Sequence, residues 1–367
     1  MPLVDLRAQY ASIRDEIREA IDRVLERQVF IIGPETHAFE QEFAEYCGAA
    51  EAVAVSNGTT ALELTLWALG VGPGDEVVTT AWTFWATGEA VLRLGARPVF
   101  VDVREDDWTM DPAAVAAAVG PRTKAILPVH IFGHPADVPA LAAAAPGVPI
   151  VEDAAQAHGG SYHGRPVGSD AAAATFSFYP GKNLGAYGDA GAVITRDPAF
   201  AARVRALRDH GRSTKYEHPV AGTNGRSSEL QCAVLRTKLR HLPAWTETRR
   251  RLAARYEERL AGLGLEWQAT RPWAHHVRHL FVVRHPERDG LAAHLAEEGI
   301  ATGVHYPIPV HEQPGLEGRD WRTAGTLATT ERLSGEVLSL PLYPELGEAG
   351  VDHVCDAIVR GVGGAPA

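Results

Sequence analysis

Apolar residues recur at Ile13, Ile17, Ile21, Val24 and Leu25 with charges between them, a helical spacing that predicts one amphipathic helix over residues 12–26. A second helix is expected around 36–46, behind Gly33-Pro34. The period then shortens. β-prone runs stand at 52–55, 76–80, 98–103, 125–130, 149–152, 175–178 and 192–195, most of them separated by helix-like, often Ala-rich stretches. Strands alternating with helices predict a mainly parallel sheet covered on both faces, because parallel neighbours need crossover connections. From Glu229 a run dense in Leu and Arg predicts a long helix to about Leu263, where Gly262 and Gly264 mark a change. The division falls at 245/246: a large domain over 1–245 and a smaller α+β domain over 246–367. Residues 361–367 are expected to fray.

Composition narrows the partners. The chain has 367 residues, 46% hydrophobic and 22% charged, enough for two sizeable cores. With 46 Asp+Glu against 35 Lys+Arg, a net charge of −11 excludes a general nucleic-acid or anionic-membrane binder, and small molecules are the expected partners. Cys47, Cys232 and Cys355 lie far apart without a CxxC, so neither a disulfide framework nor a structural zinc site is expected, and a reducing cytoplasm fits. The mixed charges of 1–27 and the prolines within 140–151 predict neither targeting nor membrane spanning. His275, His276 and His279 have the spacing of a helical metal site, but without a further ligand pattern they read as surface residues, and no metal is expected.

Only four lysines occur: Lys124, Lys182, Lys215 and Lys238. Lys182 follows an apolar strand and Tyr179-Pro180-Gly181, and precedes a glycine-rich stretch ending at Gly191. A P-loop is not matched, because Asn183 follows the lysine and residue 176 is Phe. Alone, Lys182 reads as solvated loop charge. Its neighbours allow a second reading, a lysine that bonds covalently to pyridoxal phosphate (PLP), which requires an anion for the ring nitrogen, donors for the phosphate and a flat group against the ring. Asp153, closing an apolar strand, can pair with a protonated ring nitrogen for ~1.5–3 kcal/mol, or can cap the turn that follows it. Ser56-Asn57-Gly58-Thr59-Thr60 stands between a strand and a helix and converges donors on one point, as an anion site or an ordinary cap. One ring of Trp82-Thr83-Phe84-Trp85 can stack on a cofactor or pack in a core, and Gln156 can bond a ring oxygen or satisfy a turn.

Together, Asn57-Gly58-Thr59-Thr60, Thr83-Phe84, the Glu152-Asp153 to Gln156-Ala157-His158-Gly159 segment, Ser177 to Lys182-Asn183, and Gly222-Thr223-Asn224-Gly225-Arg226 resemble the PLP-dependent sugar aminotransferases of the DegT/DnrJ/EryC1/StrS family. The resemblance runs from about Leu3 to the His305-Tyr306-Pro307 segment. It implies an α/β protein of PLP-dependent transferase fold type I, aspartate aminotransferase-like, with a mainly parallel seven-stranded sheet in the large domain, a smaller C-terminal α+β domain, and a homodimer with shared active sites. It implies Lys182 as the covalent lysine, Asp153 as the ring-nitrogen partner, Gln156 near the ring hydroxyl and Phe84 as the stacking ring. Gly58, Thr59 and Ser177 would hold the phosphate, and Asn224 would reach the phosphate of the neighbouring subunit's cofactor. Arg226, His158, His305 and Tyr306 are candidates for substrate contact, His158 equally for a structural wall, and His311 is expected beside the same pocket. Gly188-Asp189-Ala190-Gly191 departs from the family's Gly-Asp-Gly-Gly, a change expected only to tighten the turn. Related dehydratases carry histidine in place of the lysine, so Lys182 favours transamination. The implied reaction passes an amino group from an amino acid, glutamate, through the PLP and pyridoxamine phosphate (PMP) forms to a nucleotide-linked ketosugar, a dTDP-keto-6-deoxyhexose. The alternatives are a cyclitol or aromatic-precursor ketone, a non-transaminating sugar dehydratase, or a PLP-binding sensor or scaffold.

Overall fold

A computed structural model describes residues 1–363 of the chain. Its centre is one sheet of β1 (Glu51–Val55), β2 (Glu76–Thr80), β3 (Arg97–Val101), β4 (Thr123–Leu127), β5 (Val151–Asp153), β8 (Ala173–Ser177) and β9 (Gly191–Thr195); β6 (Ser161–Tyr162) and β7 (Arg165–Pro166) form a small hairpin aside. The order is β1-β9-β8-β5-β4-β2-β3, with β5 joined to β4 through parallel bridges at Ile126–Ile150 and Val129–Asp153. Every pairing is parallel except the two made by β9, so the expected mainly parallel seven-stranded sheet is present.

Both faces are buried, which is why the strands read as unbroken apolar runs. Ala52 and Ala54 of β1 pack on Phe39 and Phe43 of α2 (Pro34–Tyr46), while Val53 and Val55 pack on Ala61 and Leu64 of α3 (Gly58–Ala68). The other helices of this region are α1 (Leu6–Arg27), α4 (Trp85–Arg93), α5 (Pro112–Ala118), α6 (Val138–Ala144) and α7 (Pro198–Arg208).

Helix α1 begins six residues before the expected start, because Asp5 accepts the N–H groups of Arg7 at 2.9 Å and Ala8 at 3.0 Å. Its buried stripe is Ile13, Ile17, Ala20 and Val24; Leu25, expected in the stripe, rotates out to 45% exposure. Helix α2 takes its N-terminal acceptor from far along the chain. Glu229, 1% exposed, accepts the N–H groups of Gly33, Glu35 and Thr36 at 2.8, 2.9 and 2.8 Å.

Helix α8 (Glu229–Leu260) stops short of Leu263, and Gly262 and Gly264 follow at φ +80° and +73°. Its first half gives Leu235, Leu239 and Leu242 to the sheet core; its second half gives Leu252, Tyr256 and Leu260 to a C-terminal core. That second core lies on the antiparallel sheet β10 (Glu266–Trp267)-β12 (Phe281–Arg284)-β14 (Val337–Leu340), covered by α9 (Arg288–Glu297) and α11 (Gly347–Gly363). β11 (Ala274–His275) pairs with β6, β13 (Arg322–Thr323) adds a short parallel edge to β3, and α10 (Ala328–Glu336) precedes β14. The chain start crosses the division: Met1 packs on the C-terminal core, and its carbonyl accepts Ala301 N–H at 2.9 Å. Helix α11 continues through Gly363, so residues 361–363 are helical and not frayed; 364–367 lie outside the described residues. Among the described residues no helix is long and apolar enough to cross a membrane, and the three cysteines are free and buried.

Burial pushes the Glu229 carboxyl up, but the Thr36 hydroxyl and the three N–H donors outweigh it and hold its pKa below the ordinary 4.5. A depressed value stabilises the fold above pH 4.5 and is lost as pH falls through the folded value. Glu229→Gln should therefore flatten that part of the acid limb, and Glu229→Ala should cost roughly 3 kcal/mol at pH 7 by stranding buried donors, both read from urea unfolding between pH 3 and 7.

Candidate active site at the carboxyl edge of the sheet

Because β1, β5 and β8 run the same way, their carboxyl ends open on one edge, where ligands of such sheets bind. Asp153 ends β5 and is 5% exposed. It accepts the Thr87 hydroxyl from α4 at 2.9 Å and the Ala155 N–H at 3.2 Å, so it also makes the turn contact expected of a cap. Burial pushes its carboxyl up, and Thr87, Ala155 and the nearby Lys182 charge offset only part of that. Lys182 is half-buried at the crown of the loop after β8, its N–H donated to Tyr179 O at 2.8 Å. Burial brings its ammonium down to about 8, with Asp153 opposing. The edge thus joins an amine that loses its proton readily to an under-compensated carboxyl.

The start of α3 supplies the donors. Asn57 Oδ1 accepts Thr60 N–H at 2.8 Å, while the N–H groups of Gly58 and Thr59 take no partner among the described residues. Two glycines allow this helix end to settle on the strands: a Cβ at Gly58 would lie 2.6 Å from Ser177 Cβ, and one at Gly191 would lie 2.5 Å from the Asn57 carbonyl carbon. Ser177 is thereby held against the free N–H groups at the positive end of α3.

Phe84 precedes α4, is 56% exposed and has its ring 5.8 Å from the Tyr306 ring, whereas Trp82 of the same aromatic run is wholly buried. Gln156 Oε1 accepts Phe132 N–H at 2.5 Å and its amide donates to the Tyr306 hydroxyl at 3.1 Å, tying the cofactor region to the C-terminal segment. Burial pushes the Tyr306 hydroxyl up, so it stays protonated. His305 Nδ1 lies 2.8 Å from Ser339 Oγ, and burial brings its ring down to about 4.

His158 donates through Nε2 to Ser177 O at 3.0 Å, leaving a buried Nδ1 without a partner. Burial and the Lys182 charge bring it down to about 3, a neutral wall behind the lysine. Asn224 and Arg226 bond each other at 3.0 Å, and Arg226 pairs with Asp209 at 3.0 Å; neither bonds Asp153 or Lys182. His311 Nε2 lies 3.4 Å from a Glu331 carboxylate oxygen on α10. The 275–279 histidines are not on a helix, and His276 and His279 are buried and not at the surface as expected; the group within metal-binding distance among the described residues is His311, Glu312 and Glu331. Sequence reasoning missed Thr87, and it read the buried His279 as a surface residue. The latter stands with Nδ1 3.2 Å from Asn183 Oδ1, and its ring is depressed by burial and the Lys182 charge.

The groups fit PLP. A cationic ring nitrogen provides the charge that Asp153 lacks, a phosphate meets the free N–H groups of α3, and Lys182 provides the amine. These features are those of a PLP-dependent enzyme. The model of the DegT/DnrJ/EryC1/StrS aminotransferase family matches residues 11–359, and the chain belongs to that family. It is 50% identical over 364 residues to the erythromycin biosynthesis sensory transduction protein EryC1 of Saccharopolyspora erythraea, covering 98% of this chain and 99% of that protein. It is 48% identical over 361 residues to the dTDP-3-amino-3,4,6-trideoxy-alpha-D-glucose transaminase of Streptomyces venezuelae, covering 98% and 95%. The fold superposes on the crystal structure of S. venezuelae DesV with a TM-score of 0.96 at 47% identity, covering 100% of this chain and 99% of that one.

Gly58→Ala should force α3 away from Ser177 and weaken PLP binding roughly tenfold, measured by fluorescence titration of the cofactor-free protein, with little change in far-ultraviolet circular dichroism.

Proposed function

We propose that this aminotransferase passes an amino group from L-glutamate to a nucleotide-linked ketosugar, a dTDP-linked keto-6-deoxyhexose, and works as a homodimer with shared active sites. The observation that carries the reading is the Asp153–Lys182 pair beside the open N–H groups of α3. The substrate class is supported by relatives named for dTDP- and UDP-linked amino-sugar transaminations. The dimer is supported by the apolar surface of Val29, Phe30 and Ile31, each at least 40% exposed.

Bound PLP supplies an electron sink beside the carbon that loses or gains a proton. Asp153 keeps the proton on the ring nitrogen, because a buried carboxylate is stabilised by a cation at hydrogen-bond distance. The Lys182 amine takes the proton from the donor's α-carbon and delivers it to the cofactor's C4′ carbon, reversing the path with the sugar, general acid–base work of about 10²–10⁴-fold. Its pKa of about 8 keeps a useful share of free base near neutrality. Gly58, Thr59 and Ser177 hold the phosphate, with Asn224 contributing across the dimer. Phe84 covers one ring face, and Gln156 aligns the ring hydroxyl while anchoring Tyr306. Arg226, His305 and Tyr306 contact substrate, and His158 walls the lysine side.

Lys182→Ala should fold and bind cofactor yet lose turnover by at least about 10²-fold. The PMP form should lose its absorbance on mixing with dTDP-ketosugars, and more slowly with UDP- or GDP-ketosugars. Cofactor absorbance that no ketosugar discharges would favour the sensory alternative; discharge only by a cyclitol or aromatic-precursor ketone would move the substrate class there.

A further inference from the structure

Lys238 is a buried lysine that the reaction above does not use. It sits on α8 at 0% exposure, a placement lysine rarely takes without a carboxylate, yet the group its ammonium bonds is a backbone carbonyl. Its ammonium donates to Gly185 O at 2.7 Å and lies 4.2 Å from the centre of the Tyr187 ring. Burial brings it down to about 8, with Glu345 opposing.

Both contacts fall on the loop that carries Lys182. Gln231, seven residues earlier and so on the same face of α8, grips the next point: its Oε1 accepts Tyr187 N–H at 2.8 Å and its amide donates to Tyr187 O at 3.4 Å. Tyr10 of α1 meets the Tyr187 ring edge-on at 6.1 Å. On the other flank, the Asn183 amide donates to Val277 O at 3.1 Å. The loop also closes on itself: Ala186 N–H donates to Phe178 O at 2.8 Å, and a Cβ at Gly185 would lie 2.3 Å from Pro180 O. A shift of the Gly185–Tyr187 backbone must therefore be felt at Lys182, three residues away.

We propose that Lys238 is a positioning residue for Lys182: its ammonium pins the Gly185 carbonyl and the Tyr187 ring, and so sets where the Lys182 amine stands relative to Asp153. A cation suits this task better than an apolar side chain, because it satisfies a carbonyl and a π face from one point and cannot be replaced by packing alone. The proposal rests on the role given to Lys182 above.

The test compares Lys238→Met with Lys238→Arg in the PLP-loaded enzyme. In Lys238→Met, kcat should fall roughly 10- to 100-fold with KM for donor and acceptor within about twofold. The pH midpoint of the bound cofactor's visible absorbance should move by about 0.5 units or more. Lys238→Arg should recover most of both. A folded, cofactor-loaded Lys238→Met with wild-type kcat and an unmoved midpoint overturns the proposal. If Lys238→Met does not fold, Gln231→Ala, which loosens the same backbone, should show the same paired change, and its absence overturns the proposal equally. Lys182→Ala distinguishes the two levels: turnover retained there sinks the functional reading, whereas a dead Lys182→Ala beside an unaffected Lys238→Met sinks only the role of Lys238.

Discussion

The structure turns on two opposite charges, one buried and one half-buried, at the carboxyl edge of a sheet. Burial raises Asp153 and lowers Lys182, and each only partly restores the other. A bound cation at the carboxylate relieves the first, and covalent use of the amine relieves the second, so the same desolvation that is unfavourable for the bare protein prepares it for PLP. Thr87 shows how firmly the arrangement is held: its hydroxyl, brought by α4, fixes one Asp153 oxygen and leaves the other accepting from Ala155 N–H.

Close backbone approach is the second requirement. Gly58 and Gly191 let the α3 terminus rest on the ends of β8 and β9 with no side chain between them. The free N–H groups then face the same opening as Asp153 and Lys182. The parallel run of β1, β5 and β8 brings three chain segments to that opening, although β9 lies antiparallel between β1 and β8.

Helix α8 ties these parts together. It caps α2 through Glu229, grips the Lys182 loop through Gln231 and Lys238, and then leaves the sheet core for the C-terminal core at Leu252 and Tyr256. The Gln156–Tyr306 bond is a second tie across the same division. The C-terminal part is thereby bonded to the cofactor region at named points.

Much of this was legible in the order of residues. Apolar spacing located the seven strands and the principal helices, because a strand or helix buries its own periodic face whatever it packs against. Asp153 and the Asn57–Thr60 turn were placed for the same reason, each at an element end, and Lys182 was placed in the loop after β8 by its immediate neighbours. The partners of those groups were not. Thr87 lies 66 residues from Asp153, Tyr306 lies 150 from Gln156, and Lys238 lies 53 from Gly185. Helix α1 starts early on a cap the spacing did not register, and Leu25 turns outward because α8 covers only one face. Local order fixes what each segment can bury and where it ends; which distant donor meets which acceptor depends on the path of the whole backbone, and that only the folded chain decides.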